Sequence, residues 1–133
     1  MKRTTNEEID VIAILTVRKG MEEEFKEEVK KFMITIVNHD GLLYHSFHQS
    51  QEQPQDFIFY ERYLSAMHLD LHTRSQEIKK WTAVRDRYVI KRTFITARPL
   101  LRLCMKNSDM PHEDREIIIP TNTVFPPCVP SCS

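Results

Sequence analysis

The spacing of apolar residues changes period several times along this chain, and each change marks an element. Val11-Ile12-Ala13-Ile14-Leu15-Thr16-Val17 is apolar and β-branched at nearly every position. That pattern predicts a strand covered on both faces. Lys19-Gly20 is a turn, and from Met21 to Val37 the period becomes helical. Met21, Phe25, Val29, Phe32, Met33 and Ile36 share one stripe, while glutamates and lysines fill the other side. Glu22/Lys26 and Glu27/Lys31 are spaced for ion pairs on that solvated face. Asn38-His39-Asp40-Gly41 ends the helix, with Gly41 free to take a left-handed conformation. Leu42–Gln49 and Asp56–Leu64 read as two strands of an antiparallel hairpin, joined by a polar loop holding Pro54. Ser65 caps a second helix, whose stripe runs through Met67, Leu71, Ile78, Trp81 and Val84. A fourth strand covers Tyr88 to Ala97, and Pro99 marks its end.

The order β-α-β-β-α-β predicts an α+β, ferredoxin-like fold: a four-stranded antiparallel sheet with both helices on one face. Two helices cover only one side of such a sheet. Yet Val11/Ala13/Leu15/Val17 and Ile12/Ile14 are apolar on opposite faces, and Phe57/Phe59 and Ile58/Tyr60 repeat the feature. The expected cover is a second copy, giving a homodimer with its sheets face to face. Residues 1–9 form an N-terminal extension and 10–99 the folded domain. Residues 100–133 read as an extended arm or a partly disordered tail, with an added strand possible at Pro99–Met105 and four prolines from Pro120 to Pro130.

Composition narrows the function classes. The 133 residues carry 19 lysines and arginines against 19 aspartates and glutamates. That balance argues against nucleic acid or an anionic membrane as partner. No apolar run approaches the roughly 20 residues of a membrane span, and the first residues lack the apolar core of a signal peptide. A cytoplasmic location is the expectation. Three cysteines, all beyond residue 100, make no disulfide framework, and Cys128/Cys132 have no second ligand pair for zinc. With two glycines in the chain there is no phosphate cradle.

Two polar residues interrupt the apolar pattern. Glu61 lies inside an apolar strand and His72 inside the amphipathic helix that follows. An unpaired buried charge is costly, so the two are expected to meet over a pocket. A carboxylate hydrogen-bonded to an imidazole fixes its tautomer and raises its basicity, which suits a general base. The competing expectation is that they merely tie helix to sheet. Tyr44 and Tyr60 are candidate donors to a substrate oxygen, or core residues. His45 and His48 have opposite strand parity and do not share a pocket. His68 and His72 stand at the i,i+4 spacing of two metal ligands, but without a third ligand no metal is expected. Trp81, like Phe32, sits on an apolar stripe, in the core or as a substrate wall.

Several segments together resemble the antibiotic biosynthesis monooxygenase domain, from about Asp10 to Pro99. They are Val17-Arg18-Lys19-Gly20-Met21-Glu22-Glu23-Glu24-Phe25, His39-Asp40-Gly41-Leu42-Leu43-Tyr44, Phe59-Tyr60-Glu61-Arg62-Tyr63 and Ala66-Met67-His68-Leu69-Asp70-Leu71-His72. The resemblance implies a dimeric α+β barrel, with Glu61 and His72 at the family's acid and histidine positions. It further implies a cofactor-independent monooxygenase acting on a small quinol-like or aromatic substrate; Tyr44, Tyr60, His68 and Trp81 are candidate substrate contacts by their own chemistry and position. Other members degrade haem or isomerise a small phosphorylated carbonyl compound. Where haem-degrading relatives place a helix tryptophan this chain has His72, and their axial histidine has no counterpart around Thr82. Glu77 stands where quinol-type members often carry a second histidine. The alternatives are a small isomerase and a non-catalytic binding or interaction module.

Overall fold

The computed structural model describes residues 7–104 and 116–118. Its elements are β1 (Ile9–Val17), α1 (Glu22–Thr35), β2 (Leu42–Gln49), β3 (Asp56–Tyr63), α2 (Ala66–Thr73), α3 (Gln76–Arg85) and β4 (Val89–Ala97), followed by two short strands, β5 (Arg102–Cys104) and β6 (Glu116–Ile118). The first four strands make one antiparallel sheet in the order β2-β3-β1-β4, and β5 pairs with β6. This is the α+β, ferredoxin-like arrangement expected from the pattern, with one helix more.

The register decides which residues share a face. Val11 lies opposite Glu61, Ala13 opposite Phe59 and Leu15 opposite Phe57, and all six face the helices. His45 opposite Glu61 and Phe47 opposite Phe59 extend that face onto β2. The α1 stripe covers it: Phe25, Val29, Phe32 and Ile36 are buried, and Met21 and Met33 pack at its edge. Phe25 sits at the centre of an aromatic cluster, 5.2 Å from Phe57, 5.9 Å from Trp81 and 5.8 Å from Tyr88. On the solvated side of α1 the ion pairs differ from the expected ones. Lys26 reaches Glu23 and Lys31 reaches Glu28, while Glu22 accepts from the Gly20 amide instead.

The second helix is two helices, because Ser75 interrupts it. Its backbone is extended, its hydroxyl accepts from the Ile78 amide and so caps α3, and it donates to the His72 carbonyl. A serine that satisfies both helix ends locally makes the break nearly free of unpaired backbone groups. The break also changes the phase of the stripe. Ile78, Trp81 and Val84 still pack on the core, but Met67 and Leu71 are about half exposed. From α2 it is His72 that turns inward.

Gly41 has a positive φ, and a side chain there would collide with the His68 ring. The opposite sheet face carries Ile12, Ile14, Ile58 and Ile95, with Tyr44 and Tyr60, and none of the described helices lies over it. Among them Arg62 bonds Asp10 and Tyr60, and the Tyr60 hydroxyl donates to Asp10. The sequence reading of residues 105–115 and 119–133 as arm or tail lies outside the described residues. Arg102 on β5 pairs with the buried Glu8 at 2.8 Å.

Candidate functional site

Between the helix-facing side of the sheet and the α2-α3 break lies a cavity of about 370 Å3. Ala13, Leu15, Phe32, Phe59, Ile78 and Trp81 supply apolar wall, and Glu61, His45, His72 and Arg85 are its ionisable residues. The cavity exists because the helix layer divides there. The α1 side chains fill the other half of the same strands, whereas α2 stops at Thr73 and presents an imidazole.

Each polar group is held by a different element. Glu61 on β3 accepts a hydrogen bond of 2.5 Å from the Tyr63 hydroxyl, and its other oxygen lies 3.8 Å from His45 Nε2. His45 Nδ1 is buried and has no hydrogen-bond partner among the described residues. A buried polar atom without a partner is uncommon and marks a place where a ligand can supply one. His72 Nδ1 lies 2.8 Å from His39 Nδ1, and His39 Nε2 lies 3.0 Å from Glu77. Among the described residues Arg85 is the one permanent cation bordering the cavity; its guanidinium pairs with Asp86 at 3.1 Å and lies 5.9 Å from the Phe94 ring.

Burial sets the protonation states. It pushes His45 down to about 4. His72 also falls to about 4, mainly by burial, with His39 and His45 adding to the effect and Glu77 opposing it. Both imidazoles are therefore neutral at pH 7. Burial raises the Glu61 carboxyl above its usual range, partly offset by the Tyr63 hydrogen bond. The Tyr63 hydroxyl is raised by burial and by Glu61, so it stays protonated and keeps donating.

Of the residues singled out by sequence, Glu61, His72 and Trp81 border this cavity. Trp81 stacks on Phe32 at 4.5 Å. No hydrogen bond joins Glu61 to His72: each has another partner, Tyr63 for the acid and His39 for the histidine. Tyr44 and Tyr60 lie on the other sheet face, their rings 5.7 Å apart under the Arg62 guanidinium. Strand parity puts them there, since Glu61 and Tyr60 are consecutive. His68 packs beside Gly41 and bonds Ser65, away from the cavity lining. His45, Arg85, His39 and Glu77 were not among the sequence candidates. The hairpin register could have revealed His45, because it sets that residue opposite Glu61. Nothing local points to His39, and Glu77 stood out only as the residue at the position of the family's second histidine.

The antibiotic biosynthesis monooxygenase family matches residues 9–84, more than half of the chain, and the chain belongs to that family. Among curated proteins none matches it. Solved structures similar to it include a candidate antibiotic biosynthesis monooxygenase from Caulobacter crescentus, 18% identical, covering 72% of this chain and 92% of that one at a TM-score of 0.68. A second, from Nitrosomonas europaea, is 18% identical and covers 75% of this chain and 96% of its own at 0.67. A conserved protein from Methanosarcina mazei is 21% identical, with 70% and 93% covered at 0.66. At these identities the likeness speaks for the fold.

Proposed function

We propose that this chain is a cofactor-independent monooxygenase acting on a small quinol-like or anthrone-like aromatic, with Glu61 and His72 as its acid/base groups. The observation that carries this reading is the polarity of the cavity. Its walls are apolar and aromatic, and its one carboxyl and two imidazoles are held by burial away from their usual protonation behaviour. A volume of about 370 Å3 falls in the range of small-molecule sites. Membership of the monooxygenase-named family supports it.

The chemistry follows from those groups. Neutral His72 takes a proton from an acidified O–H or C–H of the substrate, and Arg85 stabilises the anion. The electron-rich anion reduces dioxygen, forming a carbon–oxygen bond to a peroxide. Raised in pKa by burial, Glu61 returns a proton, and the hydroperoxide loses water to leave a new carbonyl. One oxygen atom ends in the product and one in water. Oxygen uptake against a panel of quinols and anthrones tests this. Glu61→Gln and His72→Ala are each expected to slow turnover by about 10²–10⁴-fold; rates equal to wild type in both would overturn the assignment.

The same reading has two copies pack through the uncovered sheet face, where Ile12, Ile14, Ile58 and Ile95 share one side of the sheet. Sedimentation equilibrium is expected to give the mass of a dimer, and a monomer at micromolar concentration would overturn it.

A further inference from the structure

His72 borders the cavity and has one ring nitrogen uncommitted. Its Nδ1 is committed to His39, and Nε2 has no hydrogen bond among the described residues. Behind it the contacts continue outward. His39 lies 15% exposed between His72 and Glu77, and Glu77, 41% exposed, borders a second cleft between α1 and α3 with Lys31 and Lys80. Trp81 and Phe32 border both cavities, so their stacked rings form the partition around which this chain of groups runs.

The hydrogen-bonding inventory fixes the direction. A bond between two imidazole nitrogens needs one N–H and one lone pair. The carboxylate of Glu77 accepts, so His39 Nε2 carries its proton. With a single ring proton, His39 then offers a lone pair at Nδ1, and His72 Nδ1 donates to it. That leaves the lone pair of His72 on Nε2, the nitrogen available to the cavity. An imidazole in the opposite tautomer would have no basic nitrogen to offer a substrate.

We propose that His39 and Glu77 are positioning residues that hold His72 in its basic tautomer and pass its proton from the cavity to the cleft between α1 and α3. The proposal rests on His72 being the base in the function proposed above. When the substrate's proton binds Nε2 of His72, the Nδ1 proton moves to Nδ1 of His39. The Nε2 proton of His39 moves in turn to Glu77 and on to water. One proton enters and one leaves, and no electrons move. Running the chain backwards resets both rings and returns to the cavity the one proton that restores Glu61 after it has protonated the peroxide. The other charged or titratable groups around the cavity are His45 and Glu61 from the sheet and Arg85 from α3, and the Tyr63 ring centre lies 5.2 Å from that of His72. A hydrogen bond from His39 holds the Glu77 carboxyl below its usual range, so it is an acceptor at neutral pH.

Nitrogen NMR of the protein with 15N-labelled histidine, at pH 7, reads the tautomers directly and needs no substrate. The expected result is His72 protonated at Nδ1 and His39 at Nε2. In His39→Phe the partner is gone, and His72 is expected to move to the Nε2–H form that free imidazole side chains favour. His39→Leu repeats the test should the larger ring not fit. Glu77→Gln is expected to keep the tautomer, because an amide oxygen still accepts, yet to lower kcat about tenfold with KM unchanged, because it takes no proton. Wild-type His72 protonated at Nε2, or a tautomer indifferent to His39, overturns the positioning role. A Glu77→Gln enzyme with wild-type kcat overturns the relay. Should no aromatic substrate be oxidised while the tautomers are as stated, the oxygenase reading fails and the positioning of His72 holds.

Discussion

The two halves of the helix-facing side of the sheet are built on the same strands and behave differently. On β3 the inward residues run Phe57, Phe59, Glu61, Tyr63. The half around Phe57 lies under α1 and is filled by rings, with Phe25 touching Phe57, Phe47, Trp81 and Tyr88. Around Glu61 the half lies under the break between α2 and α3, and it holds a cavity with two neutral imidazoles and a raised carboxyl. One continuous helix closes a sheet face; two short ones meeting at a serine leave room. Buried ionisable groups gather where the covering layer divides, because side chains there are not displaced by close packing.

Two perturbations separate the halves. The larger is in the packed one. Phe25→Ala removes a fully buried ring from the middle of the aromatic cluster, and is expected to cost about 3–5 kcal/mol, read as a lower urea midpoint with unchanged slope. A loss below about 1 kcal/mol would mean that the cluster is loosely packed.

The smaller acts on the cavity half through pH. His45 and His72 titrate at about 4 in the folded protein, against about 6.5 in an unfolded chain. The unfolded chain therefore takes up protons that the folded one refuses as pH falls from 6.5 to 4. Stability is greatest above that window and declines through it, by up to about 3 kcal/mol for each histidine. Glu61, raised by burial, has the opposite sign: its contribution is largest at low pH and is lost as pH rises through its folded value. His45→Leu is expected to flatten the slope of urea midpoint against pH by about half. A slope equal to wild type would show that His45 is not held neutral by burial.

Much of the framework was legible before any coordinates. Glu22–Thr35 falls within the predicted helix, β2 begins and ends where the pattern places it, and Gly41 takes the left-handed backbone expected of it. The exception is instructive. Met67 and Leu71 continue the apolar stripe of Ile78 and Trp81 on paper, and an unbroken helix would have buried them. Ser75 reads equally as a tolerated helix residue or as a cap, and a local pattern does not choose between the two.

The candidate site divides along the same line. Glu61 and His72 were visible as polar residues in apolar elements, and Trp81 as part of a stripe. Tyr44 and Tyr60 were equally visible, yet they point to the other face. Both faces of these strands are apolar, so alternation alone did not say which side held the pocket. The sequence by itself determined the family, the succession of strands and helices along the chain and the two polar intrusions, because these rest on local period and on motif spacing. Only the tertiary structure decided that Glu61 answers to Tyr63 and His45, and that His72 answers to His39 and through it to Glu77. Those partners come from β2, β3, α3 and the loop before β2, and their meeting depends on register and on the phase lost at Ser75.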